Sequence, residues 1–171
     1  MDGSGMEGKI GAAAVLYQNG QRVKAVCYLL GAETEHTVHK GELVGIVLGI
    51  HLARTMQGNC TKVNISLNNQ VAIQSIAHAR PNTGQHVMEN ILSEIEDELS
   101  DHRRLQIEFT WVPGHKGIQG NKVADKEAKK AITESASRPS NHPRWLQEPL
   151  PSNLLAVKQE CKRLAKEGAR E

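Results

Sequence analysis

Trp111-Val112-Pro113-Gly114-His115-Lys116-Gly117-Ile118-Gln119-Gly120-Asn121-Lys122-Val123-Ala124-Asp125 changes its hydrophobic period in one short stretch. It begins at the end of an alternating run, Leu105, Ile107, Phe109 and Trp111, which predicts a strand over 105–111. Pro113, Gly114 and Gly117 then interrupt any regular element. An Ala-rich helix is expected over 119–134, with Asp125 about one turn in, bordering a stripe of Ala124, Ala128, Ala131 and Ile132. A strand end feeding a helix through a short loop is where α/β proteins gather their functional groups.

The same strand-to-helix passage occurs upstream. Residues 61–67 alternate, with Val63, Ile65 and Leu67 on one face, and run into Asn68-Asn69-Gln70 at a predicted helix start. An asparagine there suits a helix cap. Earlier still, residues 9–17 and 22–30 read as strands around Gln18-Asn19-Gly20-Gln21; Asn-Gly signals a hairpin because both residues accept positive φ. Helices are predicted over 37–56 and over 84–100, the latter from the spacing of Val87, Met88, Ile91, Leu92, Ile95 and Leu99. The order β-β-α-β-α-α-β-α predicts an α/β fold: a mixed central sheet with an antiparallel hairpin and flanking helices. The compact domain is expected to span 1–134. A Pro-rich linker or wrapping arm follows over 135–151, then a basic helix over 152–171, with Ser152 as N-cap and Lys158, Lys162, Arg163 and Lys166 on its exposed face.

Bulk properties narrow the classes. At 171 residues with 39% hydrophobic and 23% charged residues, the chain is long enough for one well-packed core. Aromatic content of 3% excludes base stacking as its main device, and a net charge of +2 confines any polyanion binding to a local patch. Three distant cysteines, no metal-type Cys/His spacing and no apolar leader predict an intracellular protein, nuclear or cytoplasmic. The longest apolar run, Leu43–Ala53, is too short to span a bilayer.

Three carboxylates are candidates for chemistry. Glu42 falls on the side of the apolar helix opposite Lys40, His51 and Thr55 and is expected to point inward, where an unpaired charge costs several kcal/mol. It is therefore paired, protonated or bound to a cation, or it simply favours the dipole of the helix's first turn. Asp125 alone reads better as a solvated helix charge. Asp2-Gly3-Ser4-Gly5 adds an acid in what looks like a glycine-rich turn. Gly3–Lys9 approaches the phosphate-cradling loop pattern, but Ile10 stands where that loop needs a hydroxyl and no strand precedes it.

Taken together, Asp2-Gly3-Ser4, Glu42, Asn68 and the Trp111…Gly114-His115…Asn121…Asp125 stretch resemble the ribonuclease H family over about residues 2–133. The tail, including Pro143-Arg144-Trp145-Leu146-Gln147, is similar to the extension of RNase H domains in fungal retrotransposon-type reverse transcriptases. The resemblance implies an RNase H-like fold and endonucleolytic cleavage of the RNA strand of an RNA–DNA hybrid. It implies two Mg²⁺ ions, with Mn²⁺ as a substitute, one activating water and the other stabilising the leaving oxygen. Asp2 would bridge both ions, Glu42 and Asp125 would hold the leaving-group ion, and position 68 would help hold the water-activating one. His115 would shuttle a proton or help product leave. Hybrid recognition would rest on shape, phosphates and 2′-hydroxyls, with Lys40, Asn69, Gln70, Lys116 and Lys122 as candidate contacts. Besides the hybrid, the remainder of a reverse transcriptase polyprotein is an implied partner.

The chain departs from the family pattern in three places. Asn68 stands where the family has a third acid, so the site carries three formal negative charges rather than four. Only Met1 precedes Asp2, so the first strand reads as truncated, with the flanking edges exposed. Lys122 stands where a glutamate is usual. The second reading is accordingly a catalytically impaired relative that binds hybrid or a partner without cutting. A third, another nuclease or transposase on the same superfold, is disfavoured by the His115 loop.

Overall fold

The computed structural model describes residues 1–56, 61–77, 92–93, 95–97, 100, 106–114, 118–134, 136–152 and 154–168. Strand β1 (Asp2–Met6) pairs antiparallel with β2 (Lys9–Gln18), which pairs antiparallel with β3 (Gln21–Ala32). Asn19 at φ 51° and Gly20 at φ 76° make the predicted tight hairpin between β2 and β3. Helix α1 (Val38–Arg54) crosses to β4 (Lys62–Leu67), which pairs in parallel with β5 (Gln106–Trp111) in full register from Lys62↔Gln106 to Leu67↔Trp111. Helices α2 (Gln70–Ala77), α3 (Gln119–Thr133) and α4 (Leu154–Gly168) follow. The strands form a three-stranded sheet, β1-β2-β3, and a two-stranded one, β4-β5. The result is the expected mixed α/β arrangement.

Helix α1 is the spine. Leu43, Val44, Ile46, Val47, Leu48 and Ile50 are all fully buried and join Ala12, Ala14, Val26, Ile65 and Leu67 in one core cluster. At about 25 cal/mol per Å² of apolar surface, each such aliphatic side chain contributes roughly 1.5–3 kcal/mol. Helix α3 uses smaller residues. Ala128 and Ala131 pack on Ala13 and Cys27, and a methyl group on Gly11 would overlap the Ala128 carbonyl. That closeness brings α3 onto the sheet.

Three expectations need correction. Asp2-Gly3-Ser4-Gly5 is not a turn: it is strand β1, and the turn lies at Glu7 (φ 51°) and Gly8 (φ 71°). Lys40, expected on a solvated face, is fully buried and donates to Pro151 O at 2.5 Å, beside His36 Nδ1 at 3.0 Å. The periodicity argument failed there because the C-terminal arm covers that side of α1. The arm itself, 136–151, wraps the domain, one of the two courses the sequence allowed. It has two 3₁₀ turns, Pro139–Asn141 and Arg144–Gln147, and is held by Ser137 N to Cys27 O at 2.9 Å and by Leu146, 1% exposed. His142 packs edge-on against Tyr28 with ring centroids 5.2 Å apart. Lastly, the cap of α2 is Asn69, not Asn68: its Oδ1 accepts from Val71 N at 2.9 Å and Ala72 N at 3.2 Å. Of the helix expected over 84–100, only Leu92–Ser93, Ile95–Asp97 and Ser100 are described, all helical, with Ile95 fully buried. The rest of it, and the candidate residues His115 and Lys116, lie outside the described residues.

Candidate active site

The site starts from glycines. A methyl group on Gly3 would overlap the Glu42 backbone nitrogen and the Gly41 carbonyl carbon, and one on Gly45 would come within 3.0 Å of Asp2 O. With no side chains between them, β1 and α1 press together, and this sets Asp2 beside Glu42. Asp2 is 4% and Glu42 5% exposed. Burial pushes the Asp2 carboxyl up to about 7, reinforced by the Asp125 charge and a side-chain hydrogen bond with Asp125. Burial also pushes Glu42 up to about 8, with the Asp2 charge adding to it, against a hydrogen bond from the Gly3 amide. Glu42 Oε2 has no hydrogen-bond partner.

Helix α3 delivers the third acid. Because Ala124 and Ala128 face the sheet, Asp125 is turned to its rim and half-buried. Its Oδ2 accepts from Lys129 Nζ at 2.7 Å, one turn on. An i,i+4 pair with both partners this exposed is worth about 0.3–0.5 kcal/mol, so it yields readily to a stronger cation. Sequence reading passed over Lys129, although its spacing from Asp125 was the available signal.

Asn68 closes the arrangement from β4. Its carbonyl accepts from Trp111 Nε1 at 3.1 Å, and a methyl on Gly114 would lie 3.1 Å from its Nδ2. The Asn68 Oδ1 is buried and has no partner. The Met1 ammonium donates to Ser66 O at 3.1 Å, tying the start of β1 to the end of β4 just ahead of Asn68. The structure thus links Asp2, Glu42 and Asp125 directly and tethers Asn68 to the same region. Of the candidate substrate contacts, Gln70 and Lys122 are exposed, Asn69 is committed to capping α2, and Lys40 is buried within the arm contact. Asn121, part of the sequence motif but given no role there, also buries an unpartnered Oδ1.

Among the described residues, no three His, Cys, Asp or Glu side chains already converge closely enough to hold a metal ion. The donors nonetheless suit a hard divalent cation. They are all oxygens, two are buried without partners, and two are carboxyls whose burial disfavours their charged forms. Only Asp125 is turned aside, toward Lys129.

Fold and site together define an α/β protein with an all-oxygen acidic centre at the seam of β1, α1 and α3. The chain belongs to the RNase H family, whose sequence profile matches residues 1–133. A ribonuclease H of Dichelobacter nodosus is 31% identical over 132 residues, spanning 72% of this chain and 82% of that one. Among solved structures, RNase H1 of Halobacterium salinarum superimposes with a TM-score of 0.61 at 15% identity, over 77% of this chain and 92% of the other. LC11-RNase H1, solved in complex with RNA/DNA hybrid, gives 0.59 at 14% identity, over 77% and 96%. At these identities the structural likeness concerns the fold.

Proposed function

We propose that this chain is a divalent-ion-dependent endonuclease that hydrolyses the RNA strand of an RNA–DNA hybrid. Family membership supports hybrid ribonuclease activity in general. The observation that carries the site-level reading is the burial of Asp2 and Glu42 side by side, with Glu42 Oε2 unpartnered. Two adjacent buried carboxyls, each disfavoured in its charged form chiefly by burial, are a standing cost unless a cation is present to share. Asp2, Glu42 and Asp125 would hold Mg²⁺ or Mn²⁺, with the Asn68 amide oxygen as a neutral fourth donor. Bound there, such ions supply water activation and stabilisation of the leaving oxygen. The residues themselves position the scissile phosphate's counter-charge on rigid elements: Asp2 on a strand, Glu42 and Asp125 on helices. His115 remains the proposed proton shuttle, and Lys122 a phosphate contact. The tail's resemblance supports a retroelement origin, with a reverse transcriptase as the parent or partner protein.

A second reading is favoured by one specific observation. Asn68 brings an oxygen but no charge, and Lys129 already neutralises Asp125, so the ion facing position 68 is held weakly. On that reading the protein binds hybrid and cuts it poorly. Incubating labelled hybrid, duplex DNA and single-stranded RNA with the chain and Mg²⁺ separates the cases. The proposal expects cleavage of the hybrid's RNA alone, lost on Glu42→Gln; hybrid binding without cutting at any Mg²⁺ or Mn²⁺ concentration would support the second reading instead.

A further inference from the structure

Asn68 lies between two regular elements and belongs to neither. Strands β4 and β5 stay in register as far as Leu67↔Trp111, and Val112 N adds one more bond, to Leu67 O at 2.8 Å. Helix α2 begins only at Gln70. The Asn68 carbonyl therefore has no place in the strand ladder or the helix, and such a group turns to water or a side chain. It takes the Trp111 indole, whose Nε1 donates to it at 3.1 Å.

Trp111 is 45% exposed, so its ring is not there to fill the core. A β-branched residue would end β5 equally well. What tryptophan adds at this position is a single N–H donor on a rigid, far-reaching ring, and that donor is spent on Asn68. The flanking residues are anchored separately. Leu67 is fully buried, and Asn69 is committed through its Oδ1 to Val71 N and Ala72 N. The direction of the Asn68 carbonyl is the freedom left between them, and the indole bond removes it. Gly114 closes on the side chain, since a methyl group there would lie 3.1 Å from Asn68 Nδ2 and 3.5 Å from its Cβ. One strand end and its loop thus hold both the backbone and the amide of Asn68. Its Oδ1 is left buried and without a partner.

We propose that Trp111 is a positioning residue of the cation site, acting through Asn68. By fixing the Asn68 peptide it holds Oδ1 ready as the neutral donor beside Asp2, Glu42 and Asp125. A misaimed carboxylate still attracts a cation by its charge. An amide oxygen offers only a dipole, whose pull falls off faster with distance and angle, so Asn68 depends more on being held than its acidic neighbours do. The inference rests on the cation-site reading above and deepens it.

The test is calorimetric titration of the 171-residue chain with Mn²⁺ in the absence of nucleic acid, which reads ion binding without activity. Trp111→Phe keeps a ring and removes the donor. A benzothiophene analogue at the same position keeps the indole's shape as well, so a folding defect of the first variant does not decide the outcome. Both changes should weaken Mn²⁺ binding about tenfold, as expected for losing a bond that orients a metal ligand. In an Asn68→Ala background the same changes should alter it by less than about twofold, because the two residues act as one unit. Equal Mn²⁺ affinity in the parent and the benzothiophene protein would overturn the proposal. An equal loss with and without the Asn68 side chain would also overturn it, showing Trp111 to be structural only. A parent that binds no Mn²⁺ would overturn the cation-site reading, and this inference with it.

Discussion

Gly3 packs against Glu42 so closely that a methyl group on it would lie 2.3 Å from the Glu42 backbone nitrogen. This contact ties the fold to the chemistry. The glycine that lets β1 touch α1 is adjacent to one candidate ligand and packed against another. Replacing Gly3 by Ala should therefore cost about 1–3 kcal/mol of stability by overpacking. It should also weaken divalent-ion binding, because β1 can retreat only by carrying Asp2 away from Glu42. Thermal denaturation with and without Mg²⁺ checks both effects.

The pH dependence of the metal-free protein follows from the same pair. Glu42 is raised from 4.5 to about 8 and Asp2 from 3.8 to about 7, so the folded state binds more protons than the unfolded one across that interval. Stability from these groups is full below about pH 4 and is lost as pH rises toward 8. Buried His36 and His142, whose pKa values burial lowers, act oppositely below their unfolded range, so the carboxyl contribution is isolated by comparison with a variant. Glu42→Gln should match the parent near pH 4 and exceed it at pH 8 by on the order of 2–4 kcal/mol without divalent ions. Mg²⁺ should raise the parent's melting temperature at pH 8 and leave that of Glu42→Gln unchanged.

Asn69→Ala should cost about 1 kcal/mol through loss of the α2 cap. Asn68→Ala should cost less, because its Oδ1 bonds nothing in the fold. Denaturant midpoints of the two variants decide which asparagine is structural.

The C-terminal arm should behave as part of the domain. Leu146→Ala should destabilise the whole protein by about 2–5 kcal/mol. A variant in which only the 136–168 segment became protease-sensitive, with an unchanged melting temperature, would show the arm to be dispensable.

The order of elements was legible because local signals agreed: Asn19-Gly20 made the hairpin, alternation made β4 and β5, and Ala-rich spacing made α3. Glu42 was legible as inward-facing because apolar neighbours at helical spacing leave it no outside. Lys40 was misread by the same logic, since the surface it faces is supplied by Pro151, 111 residues away in sequence. Nor can spacing distinguish Asn68 from Asn69 as a cap, because both follow a strand and precede a helix. Asp2-Gly3-Ser4-Gly5 read as a turn from glycine content, when its glycines serve close helix packing in a strand. At Lys40 and in β1 a long-range contact overrode a sound local preference.

The central claim is that Asp2, Glu42 and Asp125 form a cation site whose fourth position, Asn68, has the donor but not the charge. The most direct test compares hybrid cleavage by the parent and Asn68→Asp at pH 8 over a Mg²⁺ titration. One added carboxylate facing the ions should raise the rate at limiting Mg²⁺ by about tenfold or more, equivalent to about 1.4 kcal/mol. It should also lower the Mg²⁺ concentration needed for half-maximal activity. Equal rates and equal Mg²⁺ requirements in the two proteins would contradict the account.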